Sequence, residues 1–195
     1  LRWEGGYVND PSDSGGATNK GVTERVYHGY LEGKGLAAQD VRKMTDTQMH
    51  DIYETGYWAK AKCPVMPIDI DTVHFDTAVN MGIGRAMKFL QKSTGCTPDG
   101  GWGPNTAAAV ASCDPGPTLV AYCDIREAFY HGLVRRRPKD KRFIKGWMNR
   151  LNDLRGFVGL PGFESAEGAA NFGETDFIMR LHDAPYDGED DFLKG

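Results

Sequence analysis

The sequence predicts an α+β fold that is predominantly α-helical, with one small β element near its start. Apolar residues recur at helical spacing over most of the stretch from Thr45 to Val158. Turn-forming residues crowd the stretch from Tyr7 to Thr23, and no strand pattern elsewhere rivals the helices. The chain has 195 residues, of which 40% are hydrophobic and 26% are charged. These values are ordinary for a globular protein with a sizeable core.

The β element is predicted where helix-breaking residues are densest. Trp3 is expected to end a helix that delivers Glu4, and the following stretch contains Asp10-Pro11 and Gly15-Gly16, which are typical of turns. A short β-hairpin or an ordered loop is therefore expected between Tyr7 and Thr23.

The remaining elements are predicted to be helices. Thr45 and Gln48 match a capping box at the start of one helix. Gly82 and Gly84 interrupt the longest apolar-periodic stretch, so a kink or a break is expected there. The last helix is predicted to place a core stripe at Phe143, Trp147, Leu151, Leu154 and Phe157. The predicted helices run from Val22 to Leu31 with Thr23 as cap, from Thr45 to near Cys63, from Asp71 to Lys92, from Asn105 to near Cys113, from Thr118 to Arg136, and from Asp140 to Val158.

The sequence predicts one main domain followed by a tail. Residues 1–160 form the domain, with one lobe over 1–67 and a helical lobe over 68–160, separated by the proline-containing linker Pro64–Pro67. Residues 161–195 are rich in glycine and acidic residues. This tail is interpreted as disordered, or as docked by the apolar patch Phe177–Leu181.

Composition excludes several function classes. The net charge of −4 gives no global attraction to nucleic acid, and no apolar run approaches the ~20 residues that span a membrane. No phosphate-binding loop, dinucleotide fingerprint or metal-ligand spacing is present, so neither a metal nor another cofactor is expected. The four cysteines are expected to be reduced, buried thiols; they are Cys63, Cys96, Cys113 and Cys123.

One gapped motif near the start is specific enough to suggest a family. It reads Glu-Gly-Gly-Tyr, then Pro-x-Asp-x-Gly-Gly-x-Thr, then Gly-Val-Thr. The matching positions are Glu4, Gly5, Gly6, Tyr7, Pro11, Asp13, Gly15, Gly16, Thr18, Gly21, Val22 and Thr23. This pattern resembles the glycoside hydrolase family 108 N-acetylmuramidases, a group of phage-type lysozymes. The resemblance covers roughly residues 1–160 and includes a peptidoglycan-binding-like region downstream.

The resemblance implies catalytic roles for three residues. Glu4 matches the family's essential acid, and a carboxyl held between a core and a cleft has the raised pKa that general-acid work needs. Its alternative role is to cap the hairpin through backbone N–H groups. Asp13, nine residues on, is expected to act as electrostatic partner or base, and Thr18 to position water. Asp13 could instead be an Asx-turn residue, and Thr18 a plain strand residue.

Four further residues are predicted to bind substrate. Asn80 lies in a segment similar to the family's Asp-x-x-Val-Asn-x-Gly stretch, and it either bonds a sugar amide or ties helices together. Tyr57 and Trp58 resemble the family's Tyr-x-x-x-Tyr-Trp helix, and Trp102 lies in a glycine-rich turn. Aromatic faces stack on sugars, although at helical spacing they also serve as core residues. For the basic run from Arg135 to Arg142, the alternatives are a solvated corner between helices or contact with wall phosphates or carboxylates.

Together the resemblance implies a lysozyme-like fold with two lobes and a substrate cleft. Its activity would be hydrolysis of the β-1,4 bond between N-acetylmuramic acid and N-acetylglucosamine in bacterial peptidoglycan. The source would be a bacteriophage endolysin that acts as a monomer, made in the host cytoplasm and active on the wall in the periplasm, without stable membrane insertion. Two alternatives remain open: a non-catalytic wall-binding module and a lytic transglycosylase, which needs one acid and no water.

Overall fold

The computed structural model describes residues 6–9 and 16–163. Glu4, Asp13, the predicted helix end at Trp3 and residues 164–195 of the predicted tail lie outside the described residues. Contacts between Cα atoms divide the chain into two compact units, with the boundary between Tyr57 and Trp58. This boundary lies N-terminal to the Pro64–Pro67 linker at which the sequence predicts a division between lobes.

The first unit contains the β-hairpin and two helices. Strands β1 (Thr18–Asn19) and β2 (Val22–Thr23) pair antiparallel, and helix α1 (Glu24–Gly33) follows at once. The predicted cap is confirmed, because the Thr23 side chain accepts a hydrogen bond from the N–H of Val26.

Helix α2 (Asp46–Tyr53) opens on the predicted capping box. The Thr45 hydroxyl accepts from the backbone N–H of Gln48, and the Gln48 side chain accepts from the backbone N–H of Thr45. A 3₁₀ turn at Val41–Lys43 precedes the helix. The buried apolar side chains of this unit include Tyr27, Leu31, Val41, Met49 and Ile52.

Helices are the only regular secondary structure among the described residues of the second unit. The predicted break in the longest apolar stretch is confirmed at Gly82, whose φ of 85° is open to glycine but costly for other residues. Its helices are α3 (Ile70–Met81), α4 (Ile83–Ser93), α5 (Pro104–Ser112), α6 (Pro115–Arg136) and α7 (Ile144–Phe157).

Several predicted helix boundaries are wrong. Helix α1 begins at Glu24 and not at Val22, which lies in β2, and α6 begins at Pro115 and not at Thr118. The helix that begins after Thr45 was expected to reach the neighbourhood of Cys63, but α2 ends at Tyr53 and continues as a π-helical turn, Glu54–Trp58. The last helix was expected to begin at Asp140, but a 3₁₀ helix, Pro138–Phe143, occupies that stretch and α7 begins at Ile144. In the 3₁₀ helix, Asp140 forms an ion pair with Arg137.

The core of the second unit lies where α3, α4, α6 and α7 meet. Trp147, Leu151 and Leu154 of the predicted stripe are buried, but Phe157 is 67% exposed, which corrects the prediction. Phe157 is the last residue of α7, and the chain leaves the helix at Gly159, so the stripe ends at Leu154.

All four cysteines are free, but only two of them are buried. Cys63 and Cys123 are enclosed as predicted. Cys96 and Cys113 are half-buried, because one lies in the turn after α4 and the other ends α5. Among the described residues, no helix combines the length and the apolar character needed to cross a bilayer.

Candidate active site

The hairpin places Thr18 at the centre of a small antiparallel ladder. Thr18 pairs with Thr23 on one side and forms an isolated bridge with Val8 on the other. The bridge has two backbone hydrogen bonds, Val8 N to Thr18 O at 2.8 Å and Thr18 N to Val8 O at 2.7 Å. The Thr18 side chain is buried, with 2% exposure. Its backbone position is therefore fixed from both sides.

A tight two-residue turn joins the strands. Lys20 and Gly21 have φ of 51° and 75°, the positive values that a two-residue hairpin turn of the primed type requires. The Tyr53 hydroxyl donates to the carbonyl of Lys20 at 3.2 Å and lies against Gly21, where a Cβ would stand only 2.6 Å from the phenol oxygen. Lys20 also forms an ion pair with Asp46 at the start of α2. The turn is thus docked on α2 through close backbone approach.

Further contacts join the hairpin and the motif to the 3₁₀ turn Val41–Lys43. Asn19 donates from Nδ2 to the carbonyl of Val41 at 3.0 Å. The Arg42 guanidinium lies over the Tyr7 ring, 5.1 Å from its centroid, and forms a bidentate interaction with the carboxylate of Asp40. Hydrogen bonds from Arg42 lower the pKa of the exposed Asp40 carboxyl to about 2. These contacts fix the described part of the motif against the 3₁₀ turn that precedes α2.

Glu4 and Asp13, the predicted acid and its partner, lie outside the described residues. The described residues nearest to them in sequence are Gly6 and Gly16. A carboxylate that sequence reasoning did not single out, Glu24, lies beside the latter: a Cβ on Gly16 would stand 3.3 Å from Glu24 Oε2. Glu24 begins α1, where the helix dipole favours a negative charge.

In the second unit, Asn80 belongs to a buried polar network. Its Oδ1 accepts from the Tyr130 hydroxyl at 3.2 Å and from Arg126 Nη2 at 3.4 Å. Arg126 is fully buried, and its Nη1 lies 2.7 Å from Asp76 Oδ2. Arg150 contacts both oxygens of the same carboxylate. Asn80 therefore ties α3 to α6, one of the two roles that the sequence left open for it.

The charges of this network are balanced around Asp76. Burial alone would raise the pKa of Asp76, but the positive charges of Arg150 and Arg126 outweigh it and hold the pKa at about 2. The carboxylate is therefore ionised at neutral pH and stabilises two arginines whose side chains are at most 9% exposed.

Sequence reasoning missed this network, although one signal was available. Asp76 is an acid within an apolar helical stretch, and such a residue needs a partner when it is buried. The sequence does not identify the arginines that pair with Asp76, because Arg126 and Arg150 lie 50 and 74 residues away.

The three predicted aromatic contacts occupy separate surroundings. Tyr57 lies in the π-helical turn with its ring centroid 6.0 Å from that of Tyr53, and burial raises its pKa. Trp58 is half-buried and meets Phe75 edge to face at 5.4 Å. Trp102 is half-buried against the main core of the second unit. Each ring thus has a packing role, and a role in substrate binding stays a prediction.

The glycine-rich turn that contains Trp102 is shaped by a buried glutamine. Gln91 Nε2 lies within hydrogen-bond distance of Asp99 Oδ1 at 2.6 Å and of the carbonyl of Gly101 at 2.8 Å. Its Oε1 accepts from the N–H of Gly100, also at 2.8 Å. The side chain of Gln91 is 1% exposed, so these bonds satisfy a buried amide and fix the turn.

A second buried polar contact involves His74 on α3. Its Nε2 lies 3.1 Å from the carbonyl of Ala61 and its Nδ1 lies 3.1 Å from the Tyr122 hydroxyl. Burial lowers the pKa of His74 to about 4, although the Ala61 carbonyl works in the other direction. His74 is therefore neutral at pH 7. Among the described residues, no group of three or more His, Cys, Asp or Glu side chains could hold a metal ion.

Two family models match successive parts of the chain, and the boundary between them lies within the second unit. Residues 1–82 match the family described as Glycosyl hydrolase 108, and residues 85–152 match a family described as Predicted Peptidoglycan domain. A solved structure, that of SagA from Brucella abortus, is similar with a TM-score of 0.69 and 35% sequence identity, over 84% of this chain and 91% of that one. No match was found among curated protein sequences. The chain belongs to the glycosyl hydrolase 108 family, and it is a glycosidase that acts on peptidoglycan.

Proposed function

We propose that the chain is a muramidase that hydrolyses the β-1,4 bond between N-acetylmuramic acid and N-acetylglucosamine in peptidoglycan. The observation that supports this most is the family match over residues 1–82, which contain the whole motif from Glu4 to Thr23. A degenerate motif would favour a wall-binding module that has lost catalysis; here the acid and every glycine of the motif are present.

Hydrolysis of a glycoside needs an acid for the leaving oxygen and a second group on the opposite face of the sugar. We assign the acid role to Glu4, which protonates the glycosidic oxygen as the bond to the anomeric carbon breaks. Asp13 stabilises the positive charge that develops on the sugar ring, or takes a proton from the attacking water. Neither step requires a metal or another cofactor.

Thr18 is proposed to orient the water. Two observations support a positioning role: its backbone is hydrogen-bonded to Val8, and its side chain is buried. A β-branched side chain held in this way has few rotamers, so its hydroxyl keeps one direction.

Asn80 is proposed to bind the glycan as a hydrogen-bond donor. Its Oδ1 already accepts from Arg126 and Tyr130, which fixes the orientation of the amide. The Nδ2 group then offers N–H donors suited to a sugar hydroxyl or an acetamido carbonyl. Tyr57, Trp58 and Trp102, each of them half-buried, are proposed to stack on sugar rings.

The biological setting that fits this activity is a bacteriophage endolysin. It would be made in the host cytoplasm and act as a monomer on the wall in the periplasm. The peptidoglycan itself is the only partner that this role requires.

The products of peptidoglycan digestion test the proposed reaction. Purified peptidoglycan is incubated with the protein, and the soluble fragments are identified by mass spectrometry. Reducing N-acetylmuramic acid ends are expected. Reducing N-acetylglucosamine ends would move the cleavage to the other glycosidic bond, and 1,6-anhydro ends would make the protein a lytic transglycosylase. Tight binding with no released fragment would make it a wall-binding module.

A further inference from the structure

The most concentrated charge in the described chain lies where α6 passes into α7. Five exposed cations occur there, and we call them the basic corner; they are Arg135, Arg136, Lys139, Lys141 and Arg142. The one acid within this stretch, Asp140, is buried and forms an ion pair with Arg137, at 3.0 Å. Asp140 is therefore already paired with Arg137, and it does not neutralise any of the five exposed cations.

The cations of the basic corner differ from the buried arginines of the same unit. Arg126, Arg150 and Arg155 each form an ion pair with an aspartate. Within the described ranges, none of the corner cations forms an ion pair, and Arg142 stacks its guanidinium over the ring of Phe143 at 4.4 Å.

Favourable interaction with a helix dipole explains only some of the cations in the basic corner. Arg135 and Arg136 lie in the last turn of α6, where the helix dipole favours positive charge. Lys141 and Arg142 lie in the last turn of the 3₁₀ helix, just before α7, whose first turn contains no acid. The dipole of the short 3₁₀ helix favours positive charge there and that of α7 opposes it, so helix dipoles do not explain these two cations. Their presence is better explained by an anionic partner.

The charge of the second unit has the same sign as the corner. Residues 58–170, which form the second unit, contain 15 Lys and Arg against 11 Asp and Glu, whereas the whole chain has a net charge of −4. The positive potential is therefore concentrated on the helical unit, and the corner is its densest part.

We propose that the basic corner binds the free carboxylates of the peptide stems of peptidoglycan. This inference rests on the proposed function, because it assigns to the corner a second contact with the same polymer. The match to a peptidoglycan domain covers residues 85–152 and includes the corner. Guanidinium groups pair with carboxylates through two parallel hydrogen bonds, and lysines add charge without fixed geometry. The corner thereby holds the peptides, while hydrolysis takes place on the glycan.

The test compares two variants of the full chain with equal loss of charge. The corner variant contains Arg135→Gln, Arg136→Gln, Lys139→Gln and Lys141→Gln. The control variant contains Arg25→Gln, Lys43→Gln, Lys62→Gln and Lys92→Gln, four exposed cations elsewhere. Binding to insoluble peptidoglycan is measured by sedimentation on ice, over a series of salt concentrations. Three preparations are used: untreated, with carboxyl groups amidated, and with phosphate groups removed by acid. Melting temperatures confirm that both variants fold.

On untreated peptidoglycan at low salt, the corner variant should bind about tenfold more weakly than the wild type, since each exposed ion pair changes an equilibrium by roughly twofold. The control variant should stay within about twofold of the wild type. The difference should vanish on amidated peptidoglycan and persist after phosphate removal. Equal binding by the corner variant and the wild type would overturn the proposal. So would a difference that survives amidation but disappears with the phosphate, since the partner would then be a phosphate polymer.

Release of soluble fragments by the wild type separates this proposal from the proposed function. A wild type that cleaves peptidoglycan, with a corner variant that binds normally, would overturn the corner alone. A wild type that releases nothing, with a corner variant that binds weakly, would overturn the muramidase and support the corner.

Discussion

Asp76→Asn should destabilise the second unit more than any other single Asp→Asn change among its described residues. The substitution leaves two buried arginines, Arg126 and Arg150, without their common counter-charge. Removal of one partner from a buried ion pair costs about 3–5 kcal/mol, because the remaining charge is uncompensated. The pKa of Asp76, lowered from 3.8 to about 2, gives a second measure of the same interaction. At 1.36 kcal/mol per pKa unit the shift corresponds to about 2–3 kcal/mol.

The expected loss in the free energy of unfolding is therefore about 3 kcal/mol at pH 7. The assay is urea denaturation followed by circular dichroism. Asp124→Asn is the matched control, because Asp124 also pairs with an arginine, Arg155, but its side chain is 55% exposed. The control should cost less than about 1 kcal/mol.

The stability that Asp76 contributes to the folded state depends on pH. The folded pKa of Asp76 lies below its unfolded value, so the unfolded chain binds the proton more readily. The stability that Asp76 contributes is present above about pH 4 and is lost as pH falls toward 2. The difference between wild type and Asp76→Asn should shrink over that window. An Asp76→Asn variant no less stable than Asp124→Asn, or a stability difference unchanged down to pH 2, would show that Asp76 does not compensate the two buried arginines.

Three further predictions concern single positions. Gly21→Ala should lower the free energy of unfolding by about 2 kcal/mol, because its φ is positive and the new Cβ would meet the Tyr53 hydroxyl at 2.6 Å. In denaturant titrations Gly56→Ala, with open space around it, should not be destabilised, and Tyr53→Phe should recover part of the Gly21→Ala loss. The wild type should lose up to about 3 kcal/mol between pH 6.5 and pH 4, because His74 has a pKa of about 4 and the unfolded chain takes up a proton that the folded chain does not. Urea titrations of His74→Gln should lack this loss, and a wild type of constant stability over that range would contradict it. Asp13→Asn should slow peptidoglycan hydrolysis about 10²-fold in initial-rate assays; near-full activity would favour the turn role for Asp13.

The helices were predictable where their signals are local. Thr23 and Thr45 cap helices through bonds to residues three positions on, and Gly82 breaks a helix through its own backbone angle. Such features depend on neighbours in sequence, so the pattern of residues contains them. The end of α2 at Tyr53 was not predictable in this way, because the apolar spacing continues through Tyr57 while the backbone changes to a π-helical turn.

The structural features that could not be predicted from the sequence depend on residues far apart in the chain. The network around Asp76 joins residues from α3, α6 and α7, and the turn at Gly21 is set by the side chain of Tyr53. The local sequence pattern does not identify which distant side chain forms the contact. For the site itself, the motif predicts Glu4, Asp13 and Thr18 by resemblance, and the structure adds the ladder that holds Thr18.

The proposed role of Glu4 as the acid of a peptidoglycan glycosidase can be examined with the single substitution Glu4→Gln. The amide has the same shape but cannot donate the proton. Release of reducing ends from purified peptidoglycan is measured for the wild type, for Glu4→Gln and for Glu32→Gln, an exposed glutamate on α1 that serves as control. With melting temperatures unchanged, Glu4→Gln should fall below about 1% of the wild-type rate, in line with the 10²–10⁴-fold contribution of general acid catalysis. Glu32→Gln should keep the wild-type rate. A Glu4→Gln variant that retains more than a few per cent of that rate would remove Glu4 from the acid role and contradict the account.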